Sequence, residues 1–216
     1  MKNEKKNGFF ITFEGPEGAG KSSHADHLAQ YLTAKGFSCI RTREPGGTPM
    51  AEELRKIVKS SCSGEIVHPE TELLLMEAAR SQHMRELILP ALAAGKVVIC
   101  DRFTDSTTAY QGAARSIDTR LIDTLNLFAA GYRKPDLTLV FDLDIESGFR
   151  RAGKRQETAG EYDRFEAENR AFHQRVRAGF LEIARREPVR VKVIDAEGTP
   201  EEVAARVRKA ADELFV

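Results

Sequence analysis

The 216-residue chain has no excess charge of either sign: 33 Lys and Arg offset 33 Asp and Glu, for a formal net charge of zero. A global field that would draw it to nucleic acid or to an anionic membrane is missing, so the basic residues have to be judged where they stand. Long hydrophobic runs are missing too. None reaches the ~20 residues of a membrane span, and the early stretch Phe9 to Phe13 is too short for a secretory core and has no cleavage pattern behind it. Cysteine is scarce. Cys39, Cys62 and Cys100 form neither a metal-ligand spacing nor an even disulfide framework. Cys39 and Cys100 fall in apolar, strand-like runs and are expected as buried free thiols. These absences give the expectation of a reduced, cytoplasmic location with no nucleic-acid or membrane partner. With no repeat, low-complexity tract or convincing linker, a single domain over 1–216 is expected.

What the chain has is alternation. Apolar runs bounded by turns, at residues 9–13, 38–42, 97–101, 137–141 and 189–194, are expected as strands. Between them lie amphipathic segments expected as helices: about 21–35, closed by Gly36; 49–59; 71–94, bent or interrupted at Pro90; 119–130; 145–151; 164–186; and one from Pro200, with Thr199 as N-cap. Near-continuous apolar strands alternating with helices predict an α/β fold with a parallel sheet covered on both faces. The charged loop Gly153–Gly160 is expected to be a mobile insertion.

The first strand runs into Gly15-Pro16-Glu17-Gly18-Ala19-Gly20-Lys21-Ser22, which satisfies the P-loop spacing in its proper context of strand before and helix after. Glycines let successive backbone N–H groups face inward, and the following helix adds its positive N-terminus. Lys21 would reach the β- and γ-phosphates of a nucleoside triphosphate, and Ser22 would offer a hydroxyl to Mg2+. Asp101 ends an apolar strand, the place of an acid that orders Mg2+, and Arg102 follows it. No Asn-Lys-x-Asp segment is present to read guanine. Further phosphate-binding equipment stands at Arg43-Glu44-Pro45-Gly46-Gly47-Thr48, at Arg55 and at Arg80, with Thr107 and Gln111 beyond Asp101. That is more than one triphosphate needs, and a nucleoside monophosphate would use it.

At these positions the chain resembles thymidylate kinase over nearly its whole length. The P-loop, the Arg-Glu-Pro-Gly-Gly-Thr segment, the Asp-Arg-Phe step and Ala109-Tyr110-Gln111-Gly112 occur in family order and spacing. The resemblance implies a P-loop nucleoside-monophosphate-kinase-like three-layer fold, a five-stranded parallel sheet with helices on both faces and a lid loop. It implies transfer of the γ-phosphoryl of ATP to dTMP with Mg2+, usually in a homodimer. The triphosphate would lie along the P-loop as far as Ser23, with Asp195 beside the adenine. Arg43, Glu44, Pro45 and Arg55 would line the monophosphate, and Arg102 would stand between donor and acceptor phosphates. Asp101 and Glu44 would organise Mg2+. Glu17 would accept from the acceptor's 3′-hydroxyl, and Arg80 would donate to a thymine carbonyl, or else pair with Glu77 or Glu86. Thr107 and Gln111 would complete the base contacts, and Tyr110 would pack beside the sugar or in the core.

The family commonly stacks an aromatic on the base where this chain has Met76, and has serine where it has Thr107. The variable P-loop positions hold no arginine, and relatives lacking it supply the catalytic cation from the lid. Here that lid is about 153–162, with Arg151 and Arg155 as the candidates and Asp163 and Glu166 opening the next helix. Two other readings stay open: another nucleotide kinase of this fold, and a nucleotide-binding regulatory module without turnover.

Overall fold

The computed structural model describes residues 8–59, 65–159, 164–165 and 167–215. Its sheet contains β1 (Phe10–Glu14), β2 (Cys39–Arg43), β3 (Val97–Asp101), β4 (Leu137–Asp142) and β5 (Val191–Asp195), all parallel, in the order β2-β3-β1-β4-β5. The side-chain period of two splits β1 between layers. Ile11 and Phe13 meet Leu28 and Leu32 of α1 (Lys21–Ala34) and Val203 and Val207 of α9 (Pro200–Asp212). Phe10 faces the other way, onto Met84, Ile88 and Phe103. Farther along that second face, Val140 and Val191 pack on Phe172, Val176 and Phe180 of α8 (Arg170–Arg186). The result is the expected three-layer α/β arrangement, covered on both sides.

The second helix, α2, spans Pro49–Lys59, and α1 ends with Gly36 just beyond its C-cap, both as the sequence predicts. Thr199 caps α9 in a reciprocal box with Glu202. The segment expected as one helix with a fault at Pro90 is α3 (Pro69–His83), a π-helical stretch Met84–Ile88 and α4 (Leu89–Ala93). The wider turn sits just ahead of Pro90, where the missing N–H and the ring would otherwise disrupt the hydrogen-bond ladder. A second helical stretch with a π-helical part, α5 (Thr104–Thr107) followed by Thr108–Ala114, lies where no helix was expected, and α6 (Thr119–Ala129) follows it.

Two expectations are corrected. The short helix with a charged loop beyond it is one helix, α7 (Ile145–Ala159), so described residues 153–159 of the expected lid loop are helical. The long helix begins at Arg170 rather than near Arg164, because Asn169 caps it by accepting from the Phe172 amide. Cys100 is buried as expected, Cys39 only half-buried, and both are free; Cys62 lies outside the described residues. Among the described residues no helix is long and apolar enough to cross a membrane.

Candidate active site

The register brings the chemistry to one edge. Asp101 at the end of β3 pairs with Arg43 on β2 and Phe13 on β1, and the P-loop leaves β1 between β3 and β4. This is the carboxyl edge of a parallel sheet, where such folds bind ligands. A cleft of about 560 Å3 opens there, running from Lys21 and Ser22 to Arg80 and Gln111.

Gly15 and Gly18 shape the donor end. Gly15 has φ of 129°, and a Cβ on it would come within 2.4 Å of the Phe141 carbonyl oxygen; a Cβ on Gly18, at φ 73°, would come within 2.2 Å of that of Gly148. Only glycine tolerates both demands. Helix α1 starts with no side-chain cap and no acid in its first turn, so its N–H groups and positive end are left for an anion. Lys21 Nζ donates to the carbonyls of Gly15 (3.0 Å) and Pro16 (2.7 Å). Burial, then the nearby charge of Arg102, push its ammonium down to about 8. Ser22 Oγ donates to Asp101 Oδ2. Gly18, Gly20 and Ser23 also line the cleft, whereas Gly15, Pro16 and Ala19 are not part of its lining.

Arg102 sits in a left-handed conformation, φ 72°, at the strand end. A bulky side chain adopts that region only under constraint from its surroundings. Its guanidinium donates to Glu17 Oε1 at 2.5 Å, to Ser106 Oγ at 3.1 Å and to Gly15 O at 3.3 Å, and lies 5.1 Å from the Tyr110 ring centre. Burial opposes its charge, yet Glu17, Tyr110 and Asp101 hold its pKa well above the ordinary arginine value. A residue without an assigned role, Glu14, anchors this turn. Fully buried, it accepts from the amides of Phe103 (2.7 Å) and Ser106 (3.3 Å) and from Ser106 Oγ (2.5 Å). Burial first, and the charge of Asp105 second, push its carboxyl up to about 8.

The acceptor end is built around Arg80, 3 % exposed. It donates to Glu44 Oε2 (2.8 Å), Glu77 Oε1 (2.7 Å), Asn126 Oδ1 (2.8 Å) and Thr107 Oγ1 (2.9 Å). Four of its five N–H groups are thus engaged, and one on Nη2 remains for a ligand. Pairing with Glu77 and a place in the cleft are therefore compatible. Glu44, expected near Mg2+, gives its second oxygen to His83 Nδ1 at 3.1 Å. Met76, Thr107, Tyr110 and Gln111 line the cleft with Arg80. Tyr110 serves both expectations, since its ring also meets Phe165, Phe172 and Phe180 edge-on. Between the two ends, Arg43 pairs with Glu52, which also accepts from the Gly47 amide, and Arg55 donates to Pro45 O at 2.8 Å.

Arg151 of α7 lines the cleft and donates to the Ala196 carbonyl at 3.3 Å, next to Asp195. Asp195 itself stands outside the cleft, its Oδ1 accepting from the Glu197 amide. The Arg155 side chain, Asp163 and Glu166 lie outside the described residues. Arg41, Lys59 and Ser106 line the cleft without having been singled out. Lys59 follows Arg55 by four residues on α2 and Arg41 precedes Arg43 by two on β2, so helix and strand periods would have found both. Ser106 carries no such signal.

A family model described as thymidylate kinase matches residues 13–207. Thymidylate kinase from Pseudomonas syringae pv. syringae is 52% identical over 198 residues, 92% of each chain. That from Desulfosudis oleivorans is 50% identical over 208 residues, 95% of this chain and 97% of its own. The crystal structure of thymidylate kinase from Ehrlichia chaffeensis superposes with a TM-score of 0.75 at 35% identity, covering 95% of this chain and 99% of that one.

Proposed function

The chain belongs to the thymidylate kinase family and is a kinase that phosphorylates dTMP; from this premise we propose that its donor is ATP with Mg2+, and that the residues of the cleft divide into a donor and an acceptor half. The observation that carries the reading is the continuity of one cleft from the P-loop to Arg80 and Gln111. A triphosphate on the α1 N-terminus and a monophosphate nucleoside at Arg80 then meet at Arg102.

The donor half is Gly15–Ser23, with Lys21 on the transferring phosphates, and Asp195, outside the cleft lining, borders the adenine. Ser22 and Asp101 fit Mg2+. They bring two hard oxygen donors together at the loop, and among the described residues no group of three or more acids, histidines or cysteines forms a cage. Mg2+ suits such a place because it keeps waters and phosphate oxygens as its other ligands. Held by Ser22 and Asp101, it would supply neutralisation of the triphosphate's charge. Glu44 acts at one remove, through Arg80 and His83.

In the acceptor half, Arg43, Pro45 and Arg55 receive the monophosphate, a guanidinium fork matching phosphate oxygens. Glu17 accepts from the 3′-hydroxyl and is held for it by Arg102. Arg80, Thr107 and Gln111 read the base over Met76, which offers soft contact without a π face. Phosphoryl transfer asks little covalent help from the protein, so alignment and charge neutralisation by Lys21, Arg102 and lid cations such as Arg151 and Arg155 carry the rate. Arg151 and the residues of α7 that follow it as far as Ala159 act as the lid over ATP, and the working unit is a homodimer in the cytoplasm.

The test is ADP formation with dTMP, dUMP, dCMP, dGMP and thymidine in parallel, with ATP and Mg2+. The reading expects dTMP to give the highest kcat/KM. Better turnover of dCMP, dGMP or thymidine would point to another kinase of this fold; ATP binding without any phosphorylated product would point to a regulatory module.

A further inference from the structure

Beneath the base-reading end of the cleft lies an acid that the function above does not use. Glu72, in the first turn of α3, is fully buried, and its carboxylate takes part in its side-chain bonds as an acceptor. Gln111 Nε2 donates to its Oε1 at 2.7 Å. Arg115 reaches both its oxygens, Nε to Oε1 at 3.3 Å and Nη2 to Oε2 at 3.2 Å. Arg164 Nη1 donates to Oε2 at 2.6 Å, with its Nε and Nη2 on the Val58 carbonyl.

We infer that Glu72 is a positioning residue for base selection: it fixes which end of the Gln111 amide faces the nucleotide. An amide has a donor end and an acceptor end of nearly equal size, and a free glutamine flips to suit either kind of partner. Gln111 is not free to do so. A carboxylate flanked by two guanidinium groups only accepts, so the NH2 end must face Glu72. A flip would set two oxygens at about the same 2.7 Å separation in a buried site, trading a charge-assisted bond for lone-pair repulsion. The carbonyl oxygen of Gln111 is therefore the end offered to the cleft that the residue lines.

An acceptor fixed in the same cleft as the remaining Nη2 donor of Arg80 makes a polar code. Thymine and uracil present an N3–H donor beside the O4 acceptor. Cytosine presents an N3 acceptor beside an amino group, so both of its edge groups meet their own kind. The lock thus excludes cytosine and is blind to the 5-methyl group, so discrimination against dUMP has to come from elsewhere in the pocket.

The inference rests on the reading that Gln111 and Arg80 contact the base. The experiment measures kcat/KM for dTMP, dUMP and dCMP in wild type, Glu72→Gln and Arg115→Met. Glu72→Gln supplies an amide that can accept or donate, so Gln111 is released to flip. The dTMP-to-dCMP ratio is expected to fall at least about 10-fold, since a fixed acceptor rejects a mismatched edge far more strongly than an adaptable one. The dTMP-to-dUMP ratio is expected to stay within about twofold. Arg115→Met, which weakens the surroundings of Glu72 but leaves its bond to Gln111, is expected to keep both ratios.

A purely structural Glu72 would lower all three substrates together, and unchanged ratios in a folded Glu72→Gln overturn the inference. A wild type that does not prefer dTMP to dCMP overturns the underlying reading instead. Should Glu72→Gln not fold, side-chain amide NMR of the wild type decides. The Gln111 NH2 protons are expected to exchange slowly without nucleotide and to change little on adding dTMP; fast exchange that dTMP slows would overturn the lock.

Discussion

Arg102 gathers several constraints at once: a left-handed backbone, a half-buried guanidinium and bonds to Glu17, Ser106 and Gly15. Such a preorganised cation costs nothing to reorient when charge develops between donor and acceptor. Arg102→Ala is therefore expected to lower kcat about 100-fold or more with the fold intact by circular dichroism, and near-normal turnover would remove it from the mechanism. Glu14 makes a different prediction. Its carboxyl stands at about 8 in the fold against an ordinary 4.5, so between those values the unfolded chain has released a proton that the folded chain keeps. The contribution to stability is fully present below 4.5 and is lost as pH rises through 8, up to about 1.4 kcal/mol per pH unit. Thermal unfolding from pH 5.5 to 7.5 should thus show a wild-type Tm that falls relative to Glu14→Gln. Parallel curves would deny that Glu14 titrates there. Lys21, held low rather than high, acts in the opposite sense and only above about pH 8.

At the scale of elements, what could be read in the sequence followed local signals. Helix α2 was legible to the residue because Pro49 opens it and apolar spacing continues to Lys59, and the P-loop was legible because its spacing is itself the mechanism. The helix from Thr104 was not. Thr104-Asp105-Ser106-Thr107-Thr108 is a run of poor helix formers, and its first N–H groups are satisfied from β1 by Glu14, a partner roughly 90 residues away in sequence. For the same reason Glu14, Ser106 and Glu72 escaped notice as site residues while Lys21, Arg80 and Arg102 did not: their work is to hold other side chains across the fold. Helix α7 was misread beyond Arg151 because glycines and charges look like a loop, yet its base is packed against the P-loop. A Cβ on Gly148 would come within 2.8 Å of the Glu17 carbonyl oxygen, whereas one on Gly153 meets nothing within 4 Å. Gly148→Ala should cost about 1–3 kcal/mol in urea unfolding and raise KM for ATP by displacing the loop. Gly153→Ala should stabilise the helix by up to about 1 kcal/mol. Equal effects at the two sites would contradict this placement of α7.

The whole molecule leaves one helical layer incompletely covered. Helices α3 and α6 pack on each other, and each turns apolar side chains outward. Leu74 on α3 is 59% exposed, and Leu121 and Phe128, seven residues apart on α6, are 50% and 62% exposed. Met50 on the neighbouring α2 is exposed as well. Scattered apolar residues are ordinary on a surface, but stripes on adjacent helices that also carry Arg80 and its partner Asn126 are the mark of a face that another molecule covers. A second copy of the chain is the occupant that the proposed homodimer requires, and a two-fold contact would place Phe128 in the interface twice, once from each copy. Phe128→Glu would then bury two carboxylates without partners and should shift the sedimentation coefficient from dimer to monomer at micromolar concentration, with helical content unchanged. Because α3 holds Arg80 against Thr107 and Glu44, the released monomer should also show a raised KM for dTMP while KM for ATP, bound on the far side of the cleft, stays put. A wild type that sediments as a monomer would end the dimer proposal, and a Phe128→Glu variant that remains dimeric would move the interface to another face.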